Sequence, residues 1–401
     1  MKHTRDPYGG IVVPTCTATT YQADSVANLE LRFQWLLGLQ PMPEEMRDQR
    51  FIYSRFETPT HDSLYRALVA MEPGAAEAAV FPSGMSAIFT TIMAIAQQGD
   101  TILYTTPEYG CSDEFYRTWC ARYGITAVAV DTTDLAAFEQ ALLEHQFQLR
   151  AVFLETPNNP RIGHSPIRQI ADLTKKYPGL KGPALIVVDN TFLGPLFQHP
   201  FEHGADIVVY SATKFLGGHS CQLGGVALTN SGELMKCIRS LQYTSGPIYT
   251  PAACADLEQS IADVFGRMRD EAASAAQIAS MLAQHGQVAE VYYSTLLTGV
   301  QAEIYAAQCT GPGSIISLRL KGGAAAAEMF VNSLEVVYGN TVSLGSDHSL
   351  AILPARSTHL GVPEDVRIAA GVTPDLVRLS IGLEPVDRLI EDITQSLAQC
   401  G

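Results

Sequence analysis

Residues 185–225 place the strongest constraint on the fold of this chain. They contain two short apolar runs, 185–188 and 207–210, which are rich in β-branched residues and show no alternation of polar and apolar positions. Such runs are typical of strands in a parallel sheet that is buried on both faces. Two neighbouring runs of this kind predict an α/β fold.

Polar residues follow each of these runs. Asp189 ends the first, and Ser211, Thr213 and Lys214 come just after the second. In open α/β sheets, ligands bind at the carboxyl ends of the strands. A carboxylate, two hydroxyls and a lysine at that edge suit a phosphorylated, nitrogen-containing cofactor that is held as a Schiff base.

A third motif predicts an anion site. Ser83-Gly84-Met85 follows the apolar run 78–81 and opens a predicted helix that extends to about residue 96. The free amide N–H groups of a helix start favour an anion such as phosphate. From residue 101 to residue 177, strand and helix patterns alternate, which indicates βαβ units and a mostly parallel sheet.

The pattern changes after residue 247. Residues 252–286 are alanine-rich and predict long helices, and strands at 314–320 and 377–381 flank further helices. This arrangement predicts a smaller α+β C-terminal domain. We therefore expect an N-terminal segment at 1–50, a cofactor-binding domain at 51–247 and a C-terminal domain at 248–401. Within the first segment, residues 25–39 predict a helix with an apolar face.

Composition excludes several classes of protein. The net charge of −15, from 41 acidic and 26 basic residues, argues against nucleic-acid binding and against a polybasic membrane surface. The first ten residues do not resemble a signal peptide, and eight sparse cysteines without a C-x-x-C pair favour a reducing cytoplasm. The H-P-F-E-H sequence at 199–203 is similar to a zinc motif, but Pro200 opposes the required helix, so no metal site is expected.

Several motifs together carry a resemblance to a known family. They are D-N-T-F at 189–192, G-A-D-I-V-V-Y-S-A-T-K-F-L-G-G-H at 204–219, Y-S-R at 53–55, S-G-M at 83–85, Y-G-C at 109–111, E-T-P-N-N-P at 155–160, S-L-G at 343–345 and V-R-L-S-I-G-L-E at 377–384. From about residue 9 to residue 384, the chain resembles the Cys/Met-metabolism family of pyridoxal-phosphate (PLP) enzymes. The resemblance implies a PLP-dependent transferase fold of type I.

The resemblance also implies the cofactor site. Lys214 is expected to carry pyridoxal 5′-phosphate, and Asp189 to pair with its pyridinium nitrogen. Tyr109 is expected to stack on the ring and to donate a proton to the leaving group. The other implied cofactor contacts are Ser83, Gly84, Met85, Asn159, Ser211 and Thr213, with Tyr53 and Arg55 reaching the phosphate of a neighbouring subunit. Shared sites imply at least a homodimer, and a homotetramer is the expected assembly. The resemblance also implies that the N-terminal segment at 1–50 makes contacts between subunits.

Substrate contacts follow from the same resemblance. Arg378 is expected to clamp the substrate α-carboxylate beside Ser343. Cys111 stands where most relatives have Gly and methionine γ-lyases have Cys. By contrast, His348 replaces a usual Glu, and Gln242-Tyr243 replaces the Lys-Asp pair of methionine γ-lyase. We predict that His348 and this pair select the γ-substituent, with a smaller contribution from Cys111.

The implied function is a PLP-dependent γ-lyase that acts on a methionine- or homoserine-type amino acid. One alternative is a γ-replacement enzyme of the cystathionine γ-synthase or O-acylhomoserine sulfhydrylase type. Others are a β-lyase on cystathionine or cysteine, and a γ-lyase on an oxygen-linked substrate such as canavanine. A PLP-binding protein without catalysis is disfavoured because Lys214, Asp189, Tyr109 and Arg378 all occur together.

Overall fold

The computed structural model describes residues 13–400. The first ten residues, on which the signal-peptide prediction depends, lie outside the described residues. All eight cysteines are described and none forms a disulfide. Within residues 13–400, no helix has both the length and the apolar character needed to cross a membrane.

The larger sheet has seven strands in the order β1-β7-β6-β5-β4-β2-β3. Its strands are β1 (Glu77–Phe81), β2 (Thr101–Thr105), β3 (Thr126–Val130), β4 (Leu149–Glu155), β5 (Leu185–Asp189), β6 (Ile207–Ser211) and β7 (Gly225–Thr229). Five neighbouring strands are mutually parallel, namely β6, β5, β4, β2 and β3, and β7 is antiparallel to both β6 and β1. The predicted mostly parallel sheet is confirmed, and both predicted apolar runs are strands of it.

The smaller sheet is mixed and has the order β10-β11-β12-β9-β8. Its strands are β8 (Val288–Tyr292), β9 (Ile315–Leu320), β10 (Tyr338–Gly339), β11 (Leu350–Ile352) and β12 (Leu376–Ser380). β12 lies antiparallel between β9 and β11, which places Arg378 in the middle of this sheet. The α/β class with a smaller α+β part is confirmed.

Fourteen α-helices occur in the described chain. They are α1 (Val26–Leu36), α2 (Pro59–Met71), α3 (Gly84–Ile95), α4 (Gly110–Glu114), α5 (Leu135–His145), α6 (Ile167–Lys176), α7 (Gly194–Phe197), α8 (Gly232–Ser245), α9 (Pro251–Ser260), α10 (Val264–Gln284), α11 (Gly299–Gln308), α12 (Gly323–Ser333), α13 (Glu364–Ala369) and α14 (Val386–Ala398). The alanine-rich region is thus two helices, because a 3₁₀ turn at Ile261–Asp263 separates α9 from α10.

Apolar clusters cover both faces of the larger sheet. Val188 and Val208 point into one cluster and Val187 and Val209 into the other, and all four are buried. Burial on both faces explains why β5 and β6 show no polar alternation in sequence. The sheet is therefore a rigid support for the residues at its carboxyl edge.

The N-terminal helix predicted at 25–39 is present at Val26–Leu36. The helix itself is confirmed as α1, but its apolar face is not buried within one chain: Leu29, Phe33 and Leu37 are exposed. The buried residue of α1 is Arg32, which donates a hydrogen bond to the Phe51 carbonyl at 2.8 Å. Periodicity predicts the helix, but it does not determine what covers the apolar face.

Candidate active site

The carboxyl ends of β5 and β6 bring Asp189 and Lys214 to one edge of the larger sheet. Asp189 is the last residue of β5, and its Oδ1 accepts a hydrogen bond from the Thr191 amide at 2.9 Å. The Thr191 hydroxyl in turn accepts one from the Ser211 amide at 2.9 Å. Lys214 lies just after the end of β6. It is part of a turn in which its own amide donates a hydrogen bond to the Ser211 carbonyl at 3.1 Å. These bonds hold the carboxylate and the lysine in fixed positions.

The start of α3 forms a cradle beside these strand ends. Ser83 caps the helix by accepting a hydrogen bond from the Ser86 amide at 3.1 Å. A Cβ on Gly84 would lie 2.9 Å from the Ser211 Cβ, and one on Gly225 would lie 2.1 Å from the Ser83 carbonyl oxygen. Only glycine fits so close an approach. The cradle therefore combines helix amides with the Ser211 hydroxyl, a donor set that suits phosphate. The Thr213 hydroxyl is bonded to Gly224, from whose amide it accepts at 3.0 Å.

Lys214 is joined to the smaller sheet through Ser343. The Lys214 Nζ donates to the Ser343 Oγ at 2.6 Å, and Arg378 donates to the Ser343 carbonyl at 2.8 Å. Arg378 also donates to the Asn159 Oδ1 at 3.0 Å. The predicted residues Lys214, Ser343, Arg378 and Asn159 thus form one hydrogen-bonded group, although up to 219 positions separate them in sequence.

Burial changes the acidity of both cations. It lowers the pKa of Lys214 to about 8, and the nearby charge of Arg378 acts in the same direction. Within residues 13–400, no acidic side chain forms an ion pair with Lys214. Burial also lowers the pKa of Arg378 to about 10, against the raising effect of Glu155 and Tyr109. Lys214 is thus readily converted to its free amine, whereas Arg378 keeps its charge at neutral pH.

Two carboxyl groups lie side by side at the strand ends. Glu155 and Asp189 are register partners on β4 and β5. Burial raises the pKa of both groups, and the Asp189 charge raises that of Glu155 further. Neighbouring carboxyls in such a setting do not both ionise near neutral pH. The pKa of Glu155 is raised further than that of Asp189, because the charge of Asp189 adds to the effect of burial.

Tyr109 lies next to this pair. Its amide donates to the Glu155 Oε2 at 3.1 Å, and the Asn159 amide donates to the other Glu155 oxygen at 2.7 Å. Burial, with a hydrogen bond to Cys111, raises the pKa of Tyr109 to about 12. The phenol is therefore protonated at neutral pH and able to act as an acid.

Three residues around Tyr109 were not predicted to have a role: Glu155, Glu108 and His359. Glu155 organises the Tyr109 and Asn159 backbones, as described above. Glu108 is buried, and both its carboxylate oxygens lack a hydrogen-bond partner among the described residues. His359 is buried as well, and its Nε2 lies 3.0 Å from the Glu108 carbonyl oxygen. The E-T-P-N-N-P and E-Y-G-C motifs contain both acids, but no sequence signal indicates their burial.

Tyr53, Arg55 and Tyr243 form a separate group. Arg55 donates a hydrogen bond to the Tyr243 carbonyl, and its guanidinium lies over the Phe56 ring at 4.8 Å. Tyr53 and Arg55 are both exposed. Arg55 and Tyr243 line a cleft of about 1320 Å³. In the part of the chain that the structure describes, no hydrogen bond or ion pair connects this group to Lys214.

The remaining predicted substrate residues occupy different environments. Cys111 is exposed in α4, next to Tyr109. The His348 side chain is 58% exposed and packs edge-on against Tyr338, with ring centroids 5.5 Å apart. Gln242, in contrast, is buried and donates to the Val80 carbonyl at 2.6 Å, so its amide is used within the fold.

The site fits the cofactor that the sequence predicts. Asp189 offers a buried carboxylate for a pyridinium nitrogen, because only one of its oxygens is engaged by the Thr191 amide. The cradle at Gly84 offers amides and hydroxyls to a phosphate, and Lys214 offers an amine of lowered pKa to an aldehyde. These three chemistries match the three polar parts of PLP. The His199–His203 segment includes a short 3₁₀ helix, and no cluster of metal-ligating side chains occurs among residues 13–400.

This fold and this site define a PLP-dependent enzyme of fold type I. A sequence profile described as "Cys/Met metabolism PLP-dependent enzyme" matches residues 1–398. The chain belongs to this family. It is accordingly a PLP-dependent enzyme of the carbon–sulfur lyase and γ-synthase group, and it acts on amino acids.

Its relatives include enzymes of different reaction types. The chain is 35% identical to L-methionine gamma-lyase of Pseudomonas putida, over 86% of this chain and 84% of that protein. It is 34% identical to cystathionine gamma-lyase of Saccharomyces cerevisiae, over 98% and 94% respectively. A crystal structure of cystathionine gamma synthase from Xanthomonas oryzae pv. oryzae matches with a TM-score of 0.88 at 30% identity, covering 98% of this chain and 94% of that one.

Proposed function

We propose that this enzyme is a γ-lyase whose substrate is a methionine- or homoserine-type amino acid with an uncharged γ-substituent. With one molecule of water, it converts this substrate to a 2-oxo acid, ammonia and the protonated γ-substituent, which for methionine is methanethiol. We also propose a cytoplasmic homotetramer, with the chain divided at about residues 50 and 247 as predicted above.

One observation supports the uncharged substituent. The two carboxylates beside His348 are both occupied by partners of the chain itself. Asp347 accepts from the Ser346 hydroxyl at 2.9 Å and lies 3.0 Å from the His219 Nδ1. Glu384 accepts from the Ser349 amide at 2.8 Å and from its hydroxyl at 2.7 Å. Each acid already makes two hydrogen bonds within the chain, so each has less capacity to bind a distal ammonium group such as that of cystathionine.

The proposed roles of the residues follow from their chemistry. Lys214 and Tyr109 are the catalytic residues. The cofactor is held by Ser83, Gly84, Met85, Tyr109, Asn159, Asp189, Ser211, Thr213 and Lys214, with Tyr53 and Arg55 from a neighbouring subunit. The substrate is bound by Arg378 and Ser343, and its side group is selected by Cys111, His348 and Tyr243.

The mechanism uses these residues in turn. Bound PLP stabilises negative charge at the Cα of the amino acid attached to it. Arg378 binds the α-carboxylate and thereby orients the Cα–H bond toward Lys214. The free amine of Lys214 removes the proton from Cα and becomes an ammonium group. Once this group has given that proton up, the amine can remove one from Cβ. The Tyr109 phenol donates a proton to the departing γ-substituent, and the Asp189 carboxylate would pair with the ring nitrogen of the bound cofactor.

Mass spectrometry of products tests the reaction type. The purified holoenzyme is incubated with methionine, O-acetylhomoserine, cystathionine, cysteine or canavanine, with and without an added thiol. We expect a 2-oxo acid and ammonia from methionine or O-acetylhomoserine without any thiol. A new thioether amino acid that forms only with thiol would assign γ-replacement instead. Preferred turnover of cystathionine, cysteine or canavanine would also contradict the proposal.

Two variants test how the side group is selected. His348→Glu adds a third carboxylate beside Asp347 and Glu384, so we expect kcat/KM for cystathionine to rise relative to that for methionine. Sites that pair a polar substrate group discriminate more sharply than sites that fit only a methylene. Cys111→Gly is the matched change at the other residue proposed to select the side group, in α4. If it reorders the substrates while His348→Glu leaves their ranking unchanged, the assignment to His348 fails.

γ-Replacement is the second candidate. The similarity to solved cystathionine gamma synthase structures favours it. Lys214 and Tyr109 would also serve a replacement reaction equally well. The thiol arm of the product experiment separates the two reactions.

A further inference from the structure

Two loops meet beside Lys214. One is the turn at 217–222, which follows the lysine, and the other is the loop at 343–349, which precedes β11. The Asp347 amide donates to the Gly218 carbonyl at 2.8 Å, and the Asp347 Oδ2 lies 3.0 Å from the His219 Nδ1. Asp347 of the second loop therefore hydrogen-bonds to the first loop through both its backbone amide and its side chain.

The direction of the side-chain bond follows from charge. The pKa of Asp347 is lowered: burial acts to raise it, but hydrogen bonds from His219 and Ser346 outweigh that effect. An ionised carboxylate only accepts hydrogen bonds, so the His219 Nδ1 is the donor. A further contact joins the same loops, since the Ser220 hydroxyl donates to the Ser346 Oγ at 2.9 Å.

The second loop carries Ser343 in an unusual conformation. Ser343 has a φ of 102°, a region that residues with a side chain rarely adopt. Such a conformation persists only where the surrounding structure holds it. Its hydroxyl and carbonyl are the groups that meet Lys214 and Arg378. The position of this one residue thus affects both the amine and the substrate clamp.

The first loop is fixed from the opposite side. Arg267 of α10 is buried and donates to the Phe215 carbonyl at 3.0 Å. A Cβ on Gly218 would lie 2.0 Å from the Arg267 Nη1, so the turn rests directly on this guanidinium. The turn after Lys214 therefore has a firm base. The 343–349 loop takes its position from the contacts that attach it to this turn.

We propose that His219 and Asp347 are a positioning pair that holds Ser343 in place. They touch neither substrate nor cofactor, and they act through the alignment of Ser343. This inference depends on the family's chemistry at Lys214 and not on which γ-substituent leaves.

The test compares four variants. His219→Ala and Asp347→Asn weaken or remove the pair, whereas His219→Gln retains a side-chain N–H that can reach the carboxylate. Asp375→Asn is the matched control, because Asp375 forms an ion pair of similar length with Arg319, at 2.9 Å, on the smaller sheet. Thermal unfolding of each variant shows whether it is folded. If Asp347→Asn does not fold, the comparison of His219→Ala with His219→Gln decides the question.

The first readout is the reactivity of Lys214 itself. The full-length, cofactor-free chain is labelled with acetic anhydride over a range of pH, and Lys214 labelling is measured by peptide mass spectrometry. We expect His219→Ala and Asp347→Asn to shift the pH profile of labelling, and His219→Gln and Asp375→Asn to retain that of the wild type. This readout uses no substrate, so it stands whether or not the proposed γ-lyase reaction is correct.

The second readout is the steady-state kinetics of the holoenzymes. A misplacement of about 1 Å can lower a rate roughly 100-fold, so we expect kcat/KM to fall about tenfold or more in His219→Ala and Asp347→Asn. KM should rise and kcat should fall, because Ser343 meets both Arg378 and Lys214. Unchanged labelling and kinetics in these variants, or equal losses in Asp375→Asn, would overturn the proposal.

Discussion

Arg378 and Lys214 are two cations that share Ser343 as a hydrogen-bonding partner. Arg378 is 3% exposed and donates to two neutral oxygens, the Ser343 carbonyl and the Asn159 side chain. Within residues 13–400, no carboxylate forms an ion pair with it. A buried guanidinium that is paired only with neutral groups suits a carboxylate brought by a substrate.

This environment predicts separate effects of two substitutions. Arg378→Ala should mainly raise KM, because a desolvated charge pair with the substrate is worth about 2–5 kcal/mol. Tyr109→Phe should mainly lower kcat, because general acid catalysis contributes roughly 10²–10⁴-fold. Steady-state kinetics on the preferred substrate measures both constants. The reverse pattern would mean that these two roles are wrongly assigned.

At the scale of elements, the first turn of α3 is expected to bind the phosphate of PLP. We expect Gly84→Ala to weaken PLP binding, because the new Cβ would lie 2.9 Å from the Ser211 Cβ and displace one wall of the cradle. Titration of the cofactor-free enzyme with PLP, followed by absorbance, measures the dissociation constant. Gly266→Ala in α10 is the control, since no atom lies within 4 Å of the added Cβ. Equal affinity in both variants would contradict the cradle.

Helix α10 carries a buried acid that should affect stability. Glu271 is fully buried, and both its carboxylate oxygens lack a hydrogen-bond partner among the described residues. Burial raises its pKa to about 8, against the lowering effect of Arg267. The folded state therefore binds a proton that the unfolded state releases between pH 4.5 and about 8. Over this window, Glu271 makes the free energy of unfolding fall as pH rises, by at most about 1.4 kcal/mol per pH unit.

Glu271→Gln should remove this dependence, because the amide does not ionise. We expect the melting temperature of the wild-type holoenzyme to fall relative to that of Glu271→Gln between pH 5 and pH 8. Scanning calorimetry at several pH values measures the difference. The half-exposed Glu328, changed to Gln, is the control and should follow the wild type. A constant difference between wild type and Glu271→Gln at all pH values would show that Glu271 does not titrate in this way.

At the scale of the whole molecule, no hydrogen bond or ion pair within residues 13–400 connects Tyr53 or Arg55 to the Lys214 of the same chain. If they complete the site of a neighbouring subunit, as proposed, inactive Arg55→Ala and inactive Lys214→Ala subunits should restore partial activity when mixed. Some mixed sites then contain both intact residues. Activity is measured after native mass spectrometry has confirmed subunit exchange.

The control for this mixing experiment combines Arg55→Ala with Tyr53→Ala. Both changes then damage the same side of the shared site, so every site remains incomplete and little activity should return. Equal recovery in the two mixtures, or no recovery in the first despite exchange, would argue against sites shared between subunits.

The sequence by itself determined the sheet and the polar residues at its edge. The runs at 185–188 and 207–210 are strands, and Asp189 and Lys214 lie where each strand ends, as predicted. Helix α3 begins at Gly84 after the Ser83 cap, also as predicted. These features are local: β-branched runs, capping residues and glycine turns act on their immediate neighbours, so they can be recognised one segment at a time.

Only the tertiary structure decided which distant residues meet. Packing of the smaller sheet against the larger one brings Ser343 to Lys214 and Arg378 to Asn159, over separations that no periodicity records. The register of β4 with β5 pairs Glu155 with Asp189, and the same packing engages Asp347 with His219. Burial, charge coupling and hydrogen-bond occupancy depend on the whole arrangement of the chain. For this reason, the pKa of Lys214 and the hydrogen bonds that engage Asp347 and Glu384 beside His348 could not be predicted from residue types and spacing.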